Sequence, residues 1–389
     1  MKKPTQSSRM WHLFRAKNQL RRCNRKASKI PVHIWHGDEI EFAISTKAPT
    51  SPPRLMCLDR NEVEVTEFLE KLRRRLLRTV IKPTWLVKRS SGPSTIKGFL
   101  DFSKIEEIST SAALVLAAEY ERIVHFVKAP PPLVNLDAWN DDVFKRLFEL
   151  GFFEIIGTTP PDQERYLTAD KEVMTLRFIS GSNAAETRLA GEMLIRLAEF
   201  LDPDHELPEE ISVPLTSALS EAMSNVREHA YPADYRFRYR HVGRWWLTGS
   251  ADRRNRTLTI VIYDQGASIP VTYERLSSLA HVRKWIDEVR GTITRTTSHP
   301  FQNDGLQIAA AVKFGNSQTD EPHRGKGLPD MKFAVDQCKN GKLSILSRGG
   351  RYVYNGLTDQ PTHSSYAASI GGTLIEWTMT LPPFERVKE

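Results

Sequence analysis

Ser220-Glu221-Ala222-Met223-Ser224-Asn225-Val226-Arg227-Glu228-His229-Ala230-Tyr231 is the stretch on which the fold turns. Glu221, Asn225 and His229 recur at intervals of four, and a helix of 3.6 residues per turn sets such residues along one stripe, drifting about 40° per step. The spacing predicts a helix that starts at Pro214, reaches His229 and stops before Pro232. A carboxylate and a carboxamide on one stripe suit a magnesium–phosphate site, because Mg²⁺ takes oxygen donors and keeps several waters, one of which a carboxylate can polarise. Taken alone, the same spacing describes a polar helix face open to water.

Further along the chain, Leu258 to Tyr263 is an apolar run suited to a sheet interior, and it ends in Asp264-Gln265-Gly266. A carboxylate there can accept a hydrogen bond from an exocyclic amine such as that of adenine, while Gly266 lets backbone approach a flat ring; an Asp-Gly turn that merely ends a strand is the plain alternative. Arg324-Gly325-Lys326-Gly327-Leu328 stands directly before a helix predicted from Pro329 to Cys338. Free N–H groups, the helix dipole and two full charges make this an anion cradle; a flexible basic turn is the plain alternative, against which Pro329 in the first turn supports the helix start. Gly371-Gly372-Thr373 opens a final strand predicted to run to Leu381.

Around this region the pattern predicts strands at Val173 to Ile179, Gly243 to Gly249 and Leu343 to Ser347, and a helix at Ala184 to Leu201. Towards the N-terminus it predicts helices at Val63 to Val80, Ser109 to Val124 and Asp141 to Leu150, with short strands at Trp85 to Val87, Gly98 to Phe102 and Phe152 to Ile156. Arg73 to Arg75 read as a solvated helix face. The proline-rich breaks divide the chain into a basic arm (1–37), a small α/β domain (38–160) and a larger domain (161–389). The expected class is α+β: a two-layer sandwich, with a mixed sheet and helices on one face, after a smaller α/β domain.

The 389 residues are 40% hydrophobic and 26% charged, with a formal net charge of +8. Residues 1–29 hold ten Lys or Arg and no acid, leaving 45 basic against 47 acidic side chains elsewhere. The arm is therefore the source of the net charge. It suits either a solubilising tail or contact with nucleic acid, where each cation near a phosphate displaces counterions. Neither a membrane span nor a signal peptide is predicted, so a cytoplasmic protein is expected, and Cys23, Cys57 and Cys338 are expected as free thiols.

The order Glu221-x-x-x-Asn225-x-x-x-His229-Ala230-Tyr231, Asp264-x-Gly266, Gly325-x-Gly327-Leu328, Gly372-Thr373 resembles the N, G1, G2 and G3 boxes of the GHKL ATPases, a group that includes gyrase and histidine kinases. The stretch Glu221 to Tyr231 is most similar to anti-sigma-factor serine kinases. The resemblance, over about residues 170 to 385, implies ATP and Mg²⁺ as ligands. It gives Glu221 the role of base and Asn225 that of Mg²⁺ ligand; Asp264 would hold adenine with Thr373 near it, and Gly325 and Gly327 would cover the phosphates with Arg324, Lys326 and Leu328 beside them. Ser268 stands where the family usually has a further glycine. Pro270 to His323 is longer than the short lid of the smallest members and is expected to form a mobile cover, with Arg295, Thr296 and Thr297 within it.

Phe99-Leu100-Asp101-Phe102, Ile108 to Leu114 and Val143 to Phe153 resemble the STAS module of anti-sigma-factor antagonists, the substrates of the related kinases. Thr110 falls at that module's phosphoacceptor without the flanking Asp and Gly; hydroxyls capping a helix are the plain alternative. The expected function is Mg-dependent ATP binding, with hydrolysis or transfer of the terminal phosphoryl group to Ser or Thr of a protein partner, such as a STAS-type or sigma-factor regulator. Alternatives are an ATP-controlled interaction switch with little turnover and a nucleic-acid effector acting through residues 1–29. A homodimer is left open.

Overall fold

A computed structural model of the chain describes residues 29–36, 39–77, 86–87, 92–96, 98–128, 130–158, 160, 170–182, 187–204, 206–276, 280–292, 299–315, 327–338 and 340–381, together with 11, 14 and 15. The chain first lays down β1 (Ile30–His36) and β2 (Glu39–Ser45), an antiparallel hairpin that the sequence pattern did not suggest. Then come β3 (Leu55–Met56), α1 (Glu62–Leu76), β4 (Leu86–Val87), β5 (Ser94–Ile96), β6 (Glu107–Ile108), α2 (Thr110–Val127), β7 (Leu133–Val134), α3 (Asp141–Leu150) and α4 (Phe152–Ile155). A five-stranded mixed sheet runs β4-β5-β2-β1-β7. Since Val32 and Ile34 are buried in it, the last residues of the stretch drawn as a basic arm belong to a folded strand.

Local signals account for the helices. Ser109 caps α2 by accepting from the Ala112 N–H at 3.2 Å, and Asn140 caps α3 through the Asp142 and Val143 N–H groups. Gly151 closes α3 at φ 89°, a left-handed conformation that suits glycine. The strand expected at Phe152 to Ile156 is instead the short helix α4, because that cap reverses the chain and turns Phe152 and Phe153 into an aromatic cluster with Phe102, Tyr120 and Trp139. At Gly98 to Phe102 the expected strand reduces to one bridge, Thr50 to Leu100, and a 3₁₀ turn anchored by Asp101.

The remainder comprises β8 (Val173–Thr175), β9 (Ile179–Gly181), α5 (Thr187–Leu201), α6 (Glu209–Asn225), β10 (Trp245–Asp252), β11 (Thr257–Asp264), α7 (Ile269–Leu276), α8 (Ala280–Thr292), α9 (Asp304–Phe314), α10 (Gly327–Asp336), β12 (Gly341–Ser347), β13 (Gly350–Asn355), β14 (Thr362–Ser365) and β15 (Thr373–Thr380). Helix α6 starts at Glu209, whose acidic first turn complements the helix dipole, so Pro214 falls inside it rather than starting it. The eight-stranded sheet runs β14-β13-β12-β15-β11-β10-β8, with β9 also on β10. Every described pairing in it is antiparallel, which corrects the expected mixed sheet. The helices after β11 return the chain to β12 one strand short of contact, and β15 fills the gap antiparallel to both.

The expected cover at Pro270 to His323 is corrected in part, over Asp304–Phe314. It contains α7, α8 and α9, and α9 is core, with Ile308, Ala310 and Ala311 fully buried. Arg295, Thr296 and Thr297 lie outside the described residues.

Both faces of the large sheet are covered. Ile260, Ile262, Ile345 and Trp377 pack under α5, α6, α9 and α10, whereas Trp246, Val261, Tyr263, Leu346 and Leu374 pack against residues of α1 to α4. Helices thus lie on one face within the second segment, as expected, and the first segment closes the other to give three layers. Helix α2 is apolar nearly all round and is buried between them. Its Thr110 is 5% exposed and pairs with the Ser250 hydroxyl of β10 at 2.7 Å, so this hydroxyl is spent inside the interface. Cys57 and Cys338 are free and buried; Cys23 lies outside the described residues. Among the described residues no helix is long and apolar enough to cross a membrane.

Candidate functional site

Helix α6 delivers Glu221 and Asn225 on its last turn, but beyond Asn225 the expected α-helix widens. Val226–Ala230 is a π-helical turn, a form that recurs at functional sites, so His229 leaves the register its spacing predicts. That turn is stitched to the loop after β11: the Ala267 N–H donates to Ala230 O at 2.7 Å, and the Gln265 N–H donates to the Tyr231 hydroxyl at 3.0 Å. Tyr231 in turn donates to Arg244 O at 2.7 Å.

Strand β11 ends at Asp264, which is buried and accepts from the Gly266 N–H at 2.7 Å. Burial raises its pKa to about 7, against the opposing pull of the Gly266 and Thr373 N–H groups. Thr373 is its register partner on β15; the Thr373 hydroxyl lies 2.8 Å from Ser347 Oγ, which accepts the Ile269 N–H at 2.9 Å. The carboxylate therefore sits in a frame fixed by three elements. A Cβ on Gly266 would fall 2.6 Å from Ala230 O, so only glycine fits against the π-turn.

Ser268, in the place of the expected glycine, adopts φ 85°, a conformation that L side chains disfavour. Its hydroxyl is buried and has no hydrogen-bond partner. The turn thus places a serine in a conformation that suits glycine.

Gly327 is the first residue of α10, and a Cβ there would collide with the Glu221 carboxylate. Glu221 is half-buried. Its pKa is raised, first by burial and then by Asp330 and Glu228, while His229 and a hydrogen bond from Asn225 oppose the shift. Arg324, Gly325 and Lys326 of the expected anion cradle lie outside the described residues.

Asn225, His229, Asp264, Leu328 and Thr373, from four separate segments, line one open cleft. Ile262, Met331 and Ile375 make its apolar walls, and Ile269, Thr272 and Tyr273 of α7 close a side that sequence reading assigned to a loop. Glu221 is not among the lining residues; it stands beside the cleft against Gly327. Ser347 went unnoticed because nothing in its local sequence distinguishes a strand hydroxyl that ties Thr373 to α7. The arrangement can hold a planar apolar group that offers a donor to Asp264, next to an oxygen-rich edge formed by Asn225 and Glu221. No protein-family model matches this chain, and no curated protein matches it.

Proposed function

We propose that the chain binds ATP with Mg²⁺ in this cleft and passes the terminal phosphoryl group to water or to a Ser or Thr of a protein partner, in the manner of the GHKL ATPases. The observation that carries the proposal is the meeting of Asn225, Asp264, Leu328 and Thr373 in one cleft, with Gly327 seated on Glu221. Ionised Asp264 would accept from the adenine amine, and Ile262, Met331 and Ile375 would sandwich the ring.

The donor set fits a magnesium–phosphate pair. Among the described residues no three His, Cys, Asp or Glu side chains gather around a metal position, so the ion would rest on the Asn225 carboxamide oxygen, with water and phosphate supplying the rest. When bound, Mg²⁺ neutralises phosphate charge. Glu221, with its proton affinity already raised, would orient or deprotonate the attacking oxygen, while Arg324 and Lys326 would balance charge from the chain just before α10.

A second reading, an ATP-controlled interaction switch, is favoured by one contact. Arg73 of α1 donates to Ser369 O and Ile370 O, directly before the Gly371-Gly372 turn that leads to Thr373, and so joins the first segment to the cleft wall. Hydrolysis of ATP and transfer to added protein, measured in wild type and Glu221→Ala, separate the two. Turnover lost only in the variant supports catalysis; binding without turnover in both leaves the switch; no binding of any adenine nucleotide by the folded protein ends both.

A further inference from the structure

A second cavity, of about 140 Å³, abuts the Gln265–Ser268 turn and shares Ser268 with the cleft. Arg73, Arg122, Arg238 and Arg348 line it, and the carboxylates that serve them are Glu70, Glu119 and Asp304, one fewer than the guanidiniums. Arg348 is held by both oxygens of Asp304, and Arg238 meets Glu70 at 3.0 Å. Glu70 is shared too, with Arg74 at 3.4 Å, but both of its arginines reach water, so the buried shortfall lies at Glu119. That single carboxylate serves Arg73 at 3.1 Å and Arg122 at 3.5 Å, and all three side chains are nearly inaccessible to solvent.

Arg73 has further acceptors in the carbonyls of Ser369 and Ile370. Arg122 has only the longer share of Glu119; its buried Nε, like Arg73 Nε and Glu119 Oε2, makes no hydrogen bond, and it lacks the carbonyl acceptors that Arg73 has. A buried guanidinium without its own counter-charge is costly to hold, and the same group is a strong donor to any anion that enters. The excess positive charge is felt nearby: Arg122 adds to burial in disfavouring the protonated form of His241.

The same cavity also carries a different chemistry. In Tyr235-Arg236-Phe237-Arg238-Tyr239-Arg240 the aromatic rings are half-buried and the arginines exposed, and Tyr235, Phe237 and Tyr239 all line the cavity. Rings lining a cavity that also holds a buried cation suit a ligand with a charged end and a flat or apolar body.

We propose that this cavity is a binding site for a small organic anion, one carboxylate or phosphate group on an aromatic or apolar body, with Arg122 as its counter-charge. The proposal does not depend on ATP binding. It is tested by calorimetric titration of the full-length, nucleotide-free chain with benzoate, phenyl phosphate, inorganic phosphate and neutral benzamide. Saturable binding of benzoate or phenyl phosphate is expected, whichever is tighter naming the preferred anion, with benzamide and inorganic phosphate at least about tenfold weaker.

Arg122→Met keeps the Arg73–Glu119 pair and should lose at least about tenfold in affinity for the aromatic anion while keeping its circular dichroism. Tyr235→Ala, on the loop, should weaken the aromatic anions and leave inorganic phosphate unchanged. The proposal is overturned if neither aromatic anion saturates, if benzamide or inorganic phosphate binds as tightly, or if either folded variant binds the aromatic anions like wild type.

Discussion

Arg73 Nε lies 3.1 Å from Glu119 Oε1, with each side chain only 1% exposed, and the pair joins α1 to α2 beneath the Gly371-Gly372 turn. The Tyr263 hydroxyl, 3.2 Å from the same oxygen, brings in β11, so one carboxylate anchors three elements behind the strand end that carries Asp264. The sequence pattern placed Arg73 on a solvated face, but the guanidinium is the inner end of the interface between the two segments.

Because Glu119 is shared, its loss is the more damaging change. Glu119→Gln leaves two buried guanidiniums without a counter-charge and should cost about 3–5 kcal/mol. Arg73→Met leaves Glu119 still paired with Arg122 and should cost less. Urea unfolding of both variants at neutral pH measures the order, and a smaller loss for Glu119→Gln would contradict the shared-carboxylate geometry.

Gly327→Ala tests the seat of Glu221. The added methyl collides with the Glu221 carboxylate, so phosphoryl transfer or hydrolysis should fall at least about tenfold while the unfolding midpoint changes little. Unchanged turnover would detach Glu221 from the chemistry.

Asp264 gives a pH signature. Its carboxyl is raised from 3.8 to about 7 in the folded, ligand-free state, so the stability it contributes is fully present below 3.8 and is lost as pH rises towards 7. Asp264→Asn should therefore be more stable than wild type at pH 8, with the difference shrinking towards pH 4. Nucleotide binding should run the other way: affinity in wild type strengthens as pH rises through about 7, by at most about tenfold per unit, and is weak and flat in Asp264→Asn. Thermal unfolding and calorimetry across pH 5–8 check both slopes.

Ser268→Gly should stabilise the protein by about 1 kcal/mol, because it relieves a left-handed backbone and removes a buried hydroxyl that has no partner. Chemical denaturation measures it; a loss of stability would mean that the serine makes a compensating contact.

Much of the site could be read in advance because each part sits where local chemistry is loud: a carboxylate at a strand end, glycines before a helix, Glu221 and Asn225 one helical turn apart. Leu258 to Tyr263 likewise announced an interior strand, and the structure buries both its faces, Ile260 and Ile262 on one and Val261 and Tyr263 on the other. The identity of the second cover was not local. It is α2, more than a hundred residues earlier, and only tertiary packing reveals it. Helix α9 was missed for the opposite reason: Leu306 to Val312 is apolar on nearly every side, so it shows no amphipathic period. The π-turn after Asn225 escaped because α and π turns draw on the same residues, and the bonds that tie down Ala230 and Tyr231 come from a loop distant in sequence.

The sealed outer face of the large sheet makes the two segments obligate companions. Residues 161–389 produced alone would present Trp246, Val261, Tyr263 and Leu374 as a naked greasy plate, inviting self-association, while a protease nick between the segments would leave the halves adhering until denatured. Inheritance would treat them likewise: a recombination that exchanged one segment without the other would have to bring a matching lining with it.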